Sequence, residues 1–439
     1  VRLDSQQVSV KSVLLNRGGY SYLTGPAVPG KEKQEAAPVP GGSTPSLPWT
    51  VRVGSVVLDD NRAEYGLLNH RPAAGFDPSF IVLSTLDLAV DSIYNRGADI
   101  ALQIRRMAFT ERSGLTVSDM TGDIGMDASG ISLAGVTLKT PFSRIEANIS
   151  AGEGILALAP DSPLKADLMA DVNTKDLKYL YPALIPPVLD GRIVSLALTA
   201  AGTLGDIGKA GLDISSPGHV AFTADGAARN VLDPGRMEAS ARFEGDFRDM
   251  AFLEALLPDS ALRRRIAIPD RIRLRGTAGA DKGAFSAAST LSTDGGEIAL
   301  QGRLDTRSEA YGIELRCDSF PLNSFLPADS LGLLDLALQA GGSGFDPLRA
   351  QTRGNIRLQV DRAEFRGRDF GGVKLNANLE GGQLSGRLSD RDEALRLLLL
   401  ISGTLTERKQ EVRLTGNVFD FDLAELGISP QKIGGSFAL

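Results

Sequence analysis

Ile298-Ala-Leu-Gln-Gly-Arg-Leu304, Ile313-Glu-Leu-Arg-Cys317, Ile356-Arg-Leu-Gln-Val360 and Val373-Lys-Leu-Asn-Ala-Asn-Leu379 decide how this chain folds. Each alternates, or nearly alternates, apolar with polar residues, which makes a strand with one apolar and one polar face. The same reading extends outward to Leu83-Ser-Thr-Leu-Asp-Leu88 and Val412-Arg-Leu414. Turn formers recur between such stretches: Asp59-Asp-Asn61, Asn95-Arg-Gly97, Asp294-Gly-Gly296, Gly381-Gly382 and Asp390-Arg-Asp392. Gly, Asn and Asp tolerate positive φ, so these read as hairpin turns. The pattern predicts a mostly β chain, a long antiparallel meander with one apolar side.

The composition narrows the function classes. Of 439 residues, 42% are apolar and only 6% aromatic, so the buried surface is mainly aliphatic. The net charge of −7, from 47 basic and 54 acidic residues, lacks the concentrated positive charge of a nucleic-acid binder. The single cysteine, Cys317, rules out an internal disulfide framework and a cysteine-based zinc site. With two histidines, His70 and His219, multi-histidine catalysis and metal binding are not expected.

Residues 1–24 read as N-terminal strands and 25–48, with six prolines and no period, as a disordered Pro-rich loop. Residues 49–165 read as one β-sheet region. The remainder, 166–439, reads as repeated strand–helix–strand units continuing the same face. Both ends fall inside strand-like patterns, Val1-Arg-Leu3 and Phe437-Ala-Leu439, which suggests a piece of a longer protein. The longest aliphatic run, Leu397 to Ile401, is far short of a membrane-spanning helix.

The repeat carries a short amphipathic helix. Its four copies are Asp176–Pro182, Asp249–Pro258, Pro321–Pro327 and Asp422–Pro430. Aligning Leu177, Met250, Leu322 and Leu423 gives spacings of 73, 72 and 101 residues, with an apolar partner at i+3 in each: Leu180, Leu253, Phe325 and Leu426. That spacing makes one helical face. Helices this short are unstable alone and must lie on the apolar side of the sheet. Four of them cannot cover it. The sheet therefore either closes on itself, as a sandwich or β-helix with a dry core, or curls into a trough whose apolar wall stays available to a ligand or partner.

A run of loose motifs resembles a known family. Trp49-Thr-Val-Arg-Val-Gly-Ser-Val-Val-Leu-Asp-Asp60 is followed by Phe76-Asp77, Leu86-Asp-Leu88 and Ile100-Ala-Leu-Gln-Ile104. Then come Phe109-Thr-Glu-Arg-Ser-Gly-Leu115 and Leu138-Lys-Thr-Pro-Phe-Ser143. This order is similar to the AsmA-like/TamB proteins of the Bacteroidota type, bacterial envelope relatives of the bridge-like lipid transfer proteins. The resemblance implies a curled antiparallel sheet, a β-taco, in the periplasm between the inner and outer membranes. It implies phospholipid acyl chains as cargo. Its partners would be the inner membrane, through an N-terminal anchor, and an outer-membrane barrel protein, through a C-terminal region, both outside this sequence.

With the resemblance, the apolar residues of the decisive strands become candidates to line a lipid groove: Ile298, Leu300, Leu304, Ile313, Leu315, Ile356, Leu358, Val360, Val373, Leu375 and Leu379. No catalytic residue, metal site or cofactor is expected. His70 and His219 read as loop residues, Asp59-Asp-Asn61 as a turn rather than calcium ligands, and Cys317 as a small buried hydrophobe. Arg263-Arg-Arg265 solvates a helix end or meets a lipid headgroup. Two other functions fit the same pattern, an assembly chaperone for outer-membrane β-barrel proteins and a closed β-solenoid surface adhesin.

Overall fold

The computed structural model describes residues 6–24, 49–67, 70–153, 159–182, 185–257, 259–426 and 431–439. The Pro-rich stretch 25–48, Val1-Arg-Leu3 and the helix-ending residues Pro258 and Pro430 lie outside them. The chain forms two compact units, Val1–Pro217 and Gly218–Leu439.

The first unit contains strands β1 (Gln7–Asn16), β2 (Gly19–Thr24), β3 (Thr50–Leu67), β4 (Phe80–Arg96), β5 (Asp99–Glu111) and β6 (Thr116–Asp127). It continues with β7 (Gly130–Lys139), β8 (Arg144–Gly152), β9 (Pro163–Asn173), β10 (Ile193–Thr203) and β11 (Ile207–Ser216). From β3 to β11 each strand pairs antiparallel with the next. The alternation predicted this meander. Repeated β-bulges interrupt the ladders from β3 to β8, and bulges bend strands and add twist, which curls the sheet.

The first edge departs from the antiparallel expectation. Both β1 and β2 run parallel to β3, end to end along its outer side. Asp59-Asp-Asn61 is also not a hairpin turn, because β3 runs straight through it as a bulge, with Asp60 at φ +53°. The bulge turns Asn61 inward, where it is 1% exposed. Its Oδ1 accepts from the Gly18 amide at 2.8 Å, and its Nδ2 donates to the Leu15 and Asp59 carbonyls at 3.1 and 3.0 Å. One side chain thus satisfies the backbone where β1 gives way to β2. Asn61→Ala is expected to cost about 2–3 kcal/mol, the desolvation of the backbone groups it leaves unpaired. Hydrogen exchange should show the amides of β1 and β2 losing protection before those of β4 to β8.

The second unit contains β12 (Val220–Arg229), β13 (Glu238–Arg248), β14 (Arg271–Asp281), β15 (Ala284–Ser292), β16 (Glu297–Asp305), β17 (Ala310–Pro321) and β18 (Leu331–Ser343). It continues with β19 (Arg353–Phe365), a three-residue β20 (Arg368–Phe370), β21 (Val373–Glu380), β22 (Gln383–Arg391), β23 (Leu395–Leu405), β24 (Gln410–Asp422) and β25 (Gly434–Ala438). These also form an antiparallel meander, with β20 folded back on the end of β19. Among the described residues no ladder joins β12 to β25, so the sheet is open rather than a barrel. Glycine permits close backbone approach where the sheet coils: a Cβ on Gly416 would sit 2.1 Å from the Leu398 carbonyl oxygen.

The predicted repeat helices are uneven. The first copy is α1 (Thr174–Leu180), capped by Asn173, whose Oδ1 accepts from the Lys175 amide at 3.0 Å. The second is a 3-10 stretch, Met250–Leu256, followed by α2 (Ser260–Arg265). The third shrinks to 3-10 turns at Leu322–Ser324 and Pro327–Asp329, because prolines at 321 and 327 leave no room for an α-helical ladder. In the fourth, Asp422 caps the amides of Ala424 and Glu425 and the described chain makes a single turn to Leu426. In the second unit the three inserts follow β13, β17 and β24, which run in one direction, so they share one edge of that sheet. Among the described residues no helix is long and apolar enough to cross a membrane.

Candidate functional site

Cross-strand register assembles the alternating residues into continuous apolar rows. In the second unit, Leu300, Leu315, Leu338, Leu358, Leu375, Leu388 and Leu399 stand directly opposite one another across seven successive strands of the main ladder. At about 4.8 Å per strand this leucine row is roughly 29 Å long. A second row mixes small and large residues: Gly302, Ile313, Ala340, Ile356, Ala377, Gly386, Ile401 and Leu414. On one flank run Leu291, Ile298, Cys317, Leu336, Val360 and Val373. On the other run Phe285, Leu304 and Tyr311, and further along Leu379 and Leu384. All eleven candidate groove residues therefore lie on one face.

The first unit has a matching row. Leu15, Leu58, Leu88, Met107, Met120, Leu138, Ile145, Ala170, Leu196 and Ile214 stand opposite one another across ten strands.

The inserts cover only one margin of this face. In the second unit a bulge after Cys317 carries Phe320 opposite Leu334, and Phe325 of the third insert stacks on Phe320 at 5.1 Å. Cys317 and Phe320 are consequently 5% and 4% exposed. Burial raises the Cys317 thiol pKa, with a smaller push from Asp335. Away from the inserts Leu300 and Ile313 remain 42% and 43% exposed. The predicted helix-face residues Leu177, Leu180, Met250, Leu253, Leu322, Phe325, Leu423 and Leu426 are all half-buried. They close a margin of the sheet; along the leucine row Leu300 stays exposed, Leu315, Leu338, Leu358, Leu375 and Leu388 are half-buried, and Leu399 is buried.

Polar groups concentrate at the insert margin. In the first unit three of the quoted motifs converge on α1. Asp77 accepts from the amides of Ala73 and Ser79, both at 2.9 Å, and lies 2.7 Å from His70 Nε2. Arg112 donates to the carbonyls of Ala73 and Gly75, and the Phe76 amide donates to the Leu180 carbonyl at the end of α1. Thr140 and Ser143 both donate to Asp176 of α1 at 2.5 Å, and Ser143 also accepts from the Asn173 amide. His70, expected as an ordinary loop residue, is thus part of a clasp. His219 stacks edge-on against Phe252 in the second unit.

The clasp has an acid-side limit. The Ala73 amide, His70 and the Ser79 amide together hold the Asp77 carboxyl at about 2, below its ordinary 3.8. Because the folded value is the lower one, this stabilisation is complete above the ordinary carboxylate range and is lost as pH falls from about 4 toward 2. Limited proteolysis across that interval should show cleavage within residues 70–79 appearing first, and Asp77→Asn should show it already at neutral pH.

On the apolar face itself one acid stands out. Asp390 follows Leu384, Gly386 and Leu388 on the same side of β22 and is buried, and burial raises its pKa. It accepts from the Asp392 amide and so belongs to the turn into β23.

Alternation in the four opening segments locates four of the seven leucines of the row. Leu338 and Leu388 escape that reading although Leu334-Asp-Leu-Ala-Leu-Gln-Ala340 and Leu384-Ser-Gly-Arg-Leu388 alternate equally well. Leu399 has no such signal, because Leu397 to Ile401 is apolar at every position and period two cannot say which residues face inward. Compared with known proteins, the chain matches no family model, no curated protein and no solved structure.

Proposed function

We propose that this protein is a non-catalytic carrier of phospholipid acyl chains, which lie along the apolar face of its open sheets. The observation that carries the reading is the leucine row of the second unit: seven aligned leucines on a face that the inserts cover only at one margin. An apolar surface of this extent needs an occupant. An acyl chain fits because it needs no directional partner, and each methylene moved from water to such a wall gains up to ~0.8 kcal/mol. The mixture of small and large side chains in the neighbouring row makes the face uneven, and a flexible chain can follow it.

The resemblance to TamB-like chains supports the setting: the periplasm, with lipid passing between the inner and outer membranes. The test is native mass spectrometry of the protein purified from cells, followed by extraction and identification of bound lipid. Several phospholipids per chain are expected. A folded, lipid-free monomer from lipid-replete cells would refute the carrier reading.

A further inference from the structure

We propose that the polar face of the second unit holds a binding site for an acidic sugar, seated on a pair of glycines in β17 and β18. The site lies on the side of the strands opposite the apolar rows and does not depend on the acyl-chain reading.

Two adjacent cross-strand rows build it. In the first, Arg303, Gly312, Gly341 and Asn355 stand opposite one another across β16 to β19. In the second, two residues away on each strand, stand Gln301, Glu314, Gln339 and Arg357. Glycine inside a strand weakens it, and it marks a bulge or a place where something approaches the backbone closely. The ladders are not bulged at Gly312 or Gly341, and neither residue has a positive φ. Backbone packing does not demand Gly312 either. A Cβ there would meet only the Arg303 side chain, with Nε at 2.9 Å. A Cβ on Gly341 would lie 3.2 Å from the Tyr311 carbonyl oxygen and 3.5 Å from Asn355 Oδ1. Arg303 thus lies across Gly312 from one side, and Asn355 reaches over Gly341 from the other. Between them the glycines floor a cavity of about 570 Å³, which the four residues of the second row also line.

The groups around this floor are uncommitted. Among the described residues Gln301, Arg303, Glu314, Gln339, Asn355 and Arg357 are exposed and their side chains make no ion pair or hydrogen bond. Other arginines of the same face are paired, Arg353 with Glu380 and Arg271 with Asp246. The guanidinium groups only donate, the Glu314 carboxylate only accepts, and the three amides do both. Sugar hydroxyls, which donate and accept, suit that mixture. A carboxylate on the ring would take the forked hydrogen bonds of a guanidinium that no acid of the protein occupies. Two glycines side by side leave a flat seat for the ring.

The test is saturation-transfer NMR on the full chain with digalacturonate, compared with cellobiose and acetate. Transfer to the ring protons of digalacturonate is expected. Cellobiose should bind at least roughly tenfold more weakly, the worth of a lost charge-assisted hydrogen bond. Gly312→Val raises the floor with a residue that strands favour, and it should abolish the transfer. Arg357→Gln should weaken digalacturonate roughly tenfold and cellobiose little. Arg357 is exposed and unpaired, so its variant should melt as wild type does.

Absence of transfer to digalacturonate overturns the proposal. Equal affinity for cellobiose, or displacement of digalacturonate by acetate at equal concentration, overturns the acidic-sugar assignment. Wild-type binding in both Gly312→Val and Arg357→Gln overturns its location.

Discussion

Leu358→Arg is expected to displace lipid from the leucine row of the second unit while leaving the protein folded. Leu358 sits in the middle of the leucine row, directly between Leu338 and Leu375. Its side chain is half-buried in the absence of any ligand, so an arginine can be accommodated by extending its stem along the face. The cost falls on the bound state. An acyl chain crossing this position would bury a guanidinium with no partner, and an unpaired buried charge costs several kcal/mol. At about 1.4 kcal/mol per factor of ten, affinity for an acyl chain crossing this position should drop at least tenfold, and the lipid retained per chain should fall by the share that the second unit holds. Gln339→Arg is the control. Gln339 adjoins Leu338 in sequence but lies on the polar face, opposite Glu314 and Arg357. It should keep the wild-type load. If Leu358→Arg co-purifies with as much lipid as wild type, the apolar face is not the acyl site.

The second large effect is on stability. Asp176→Ala should destabilise the first unit by about 3–4 kcal/mol. Asp176 is 5% exposed, and a single carboxylate oxygen accepts from both Thr140 and Ser143. Hydrogen bonds to a charged acceptor are worth roughly 1.5–3 kcal/mol each, and the variant leaves both hydroxyls without that acceptor. Ser143 in turn accepts from the amide of Asn173, the cap of α1, so the loss propagates into the helix start. Asp176→Asn keeps one acceptor oxygen and should cost clearly less. Trp49, the only tryptophan, lies in this unit, so its fluorescence in a urea titration reports the change directly. A midpoint shift confined to the second unit would contradict the assignment.

The margin where these polar groups gather shows where reading the sequence fell short. Phe76-Asp77, Glu111-Arg-Ser113 and Thr140-Pro-Phe-Ser143 stood out as ordered motifs, yet nothing in their spacing says that they meet. They meet because β3, β5, β7 and β9 run in one direction, so the segments that follow them share one edge, and there α1 and its cap draw them together. Glu111 illustrates the cost. One carboxylate oxygen accepts from the Ser113 amide at 2.6 Å, while the other is buried with no hydrogen-bond partner among the described residues.

The repeat was read correctly as a recurring excursion and too generously as a helix. Proline at both ends of the third copy left too few residues for an α-helical ladder, and of the fourth only the capped first turn lies within the described residues. Asp59-Asp-Asn61 erred the other way, because a bulge uses the same residue types as a hairpin turn, and only the parallel strands alongside turn Asn61 into a buried anchor.

By itself the sequence determined that this chain is a β meander with one aliphatic face. Period-two alternation is local, and it puts Leu300, Leu315, Leu358 and Leu375 each on the apolar side of its own strand whatever the rest of the chain does. Only the tertiary structure decided that these residues stand in one row, because a one-residue slip in any ladder would have sent a strand's apolar set to the other side. Only the tertiary structure decided, too, that most of the leucine row is half-buried rather than sealed in a dry core. Whether two apolar faces close on each other depends on how the strands bulge and coil and on where the inserts lie, and those are properties of pairing between strands far apart in the chain.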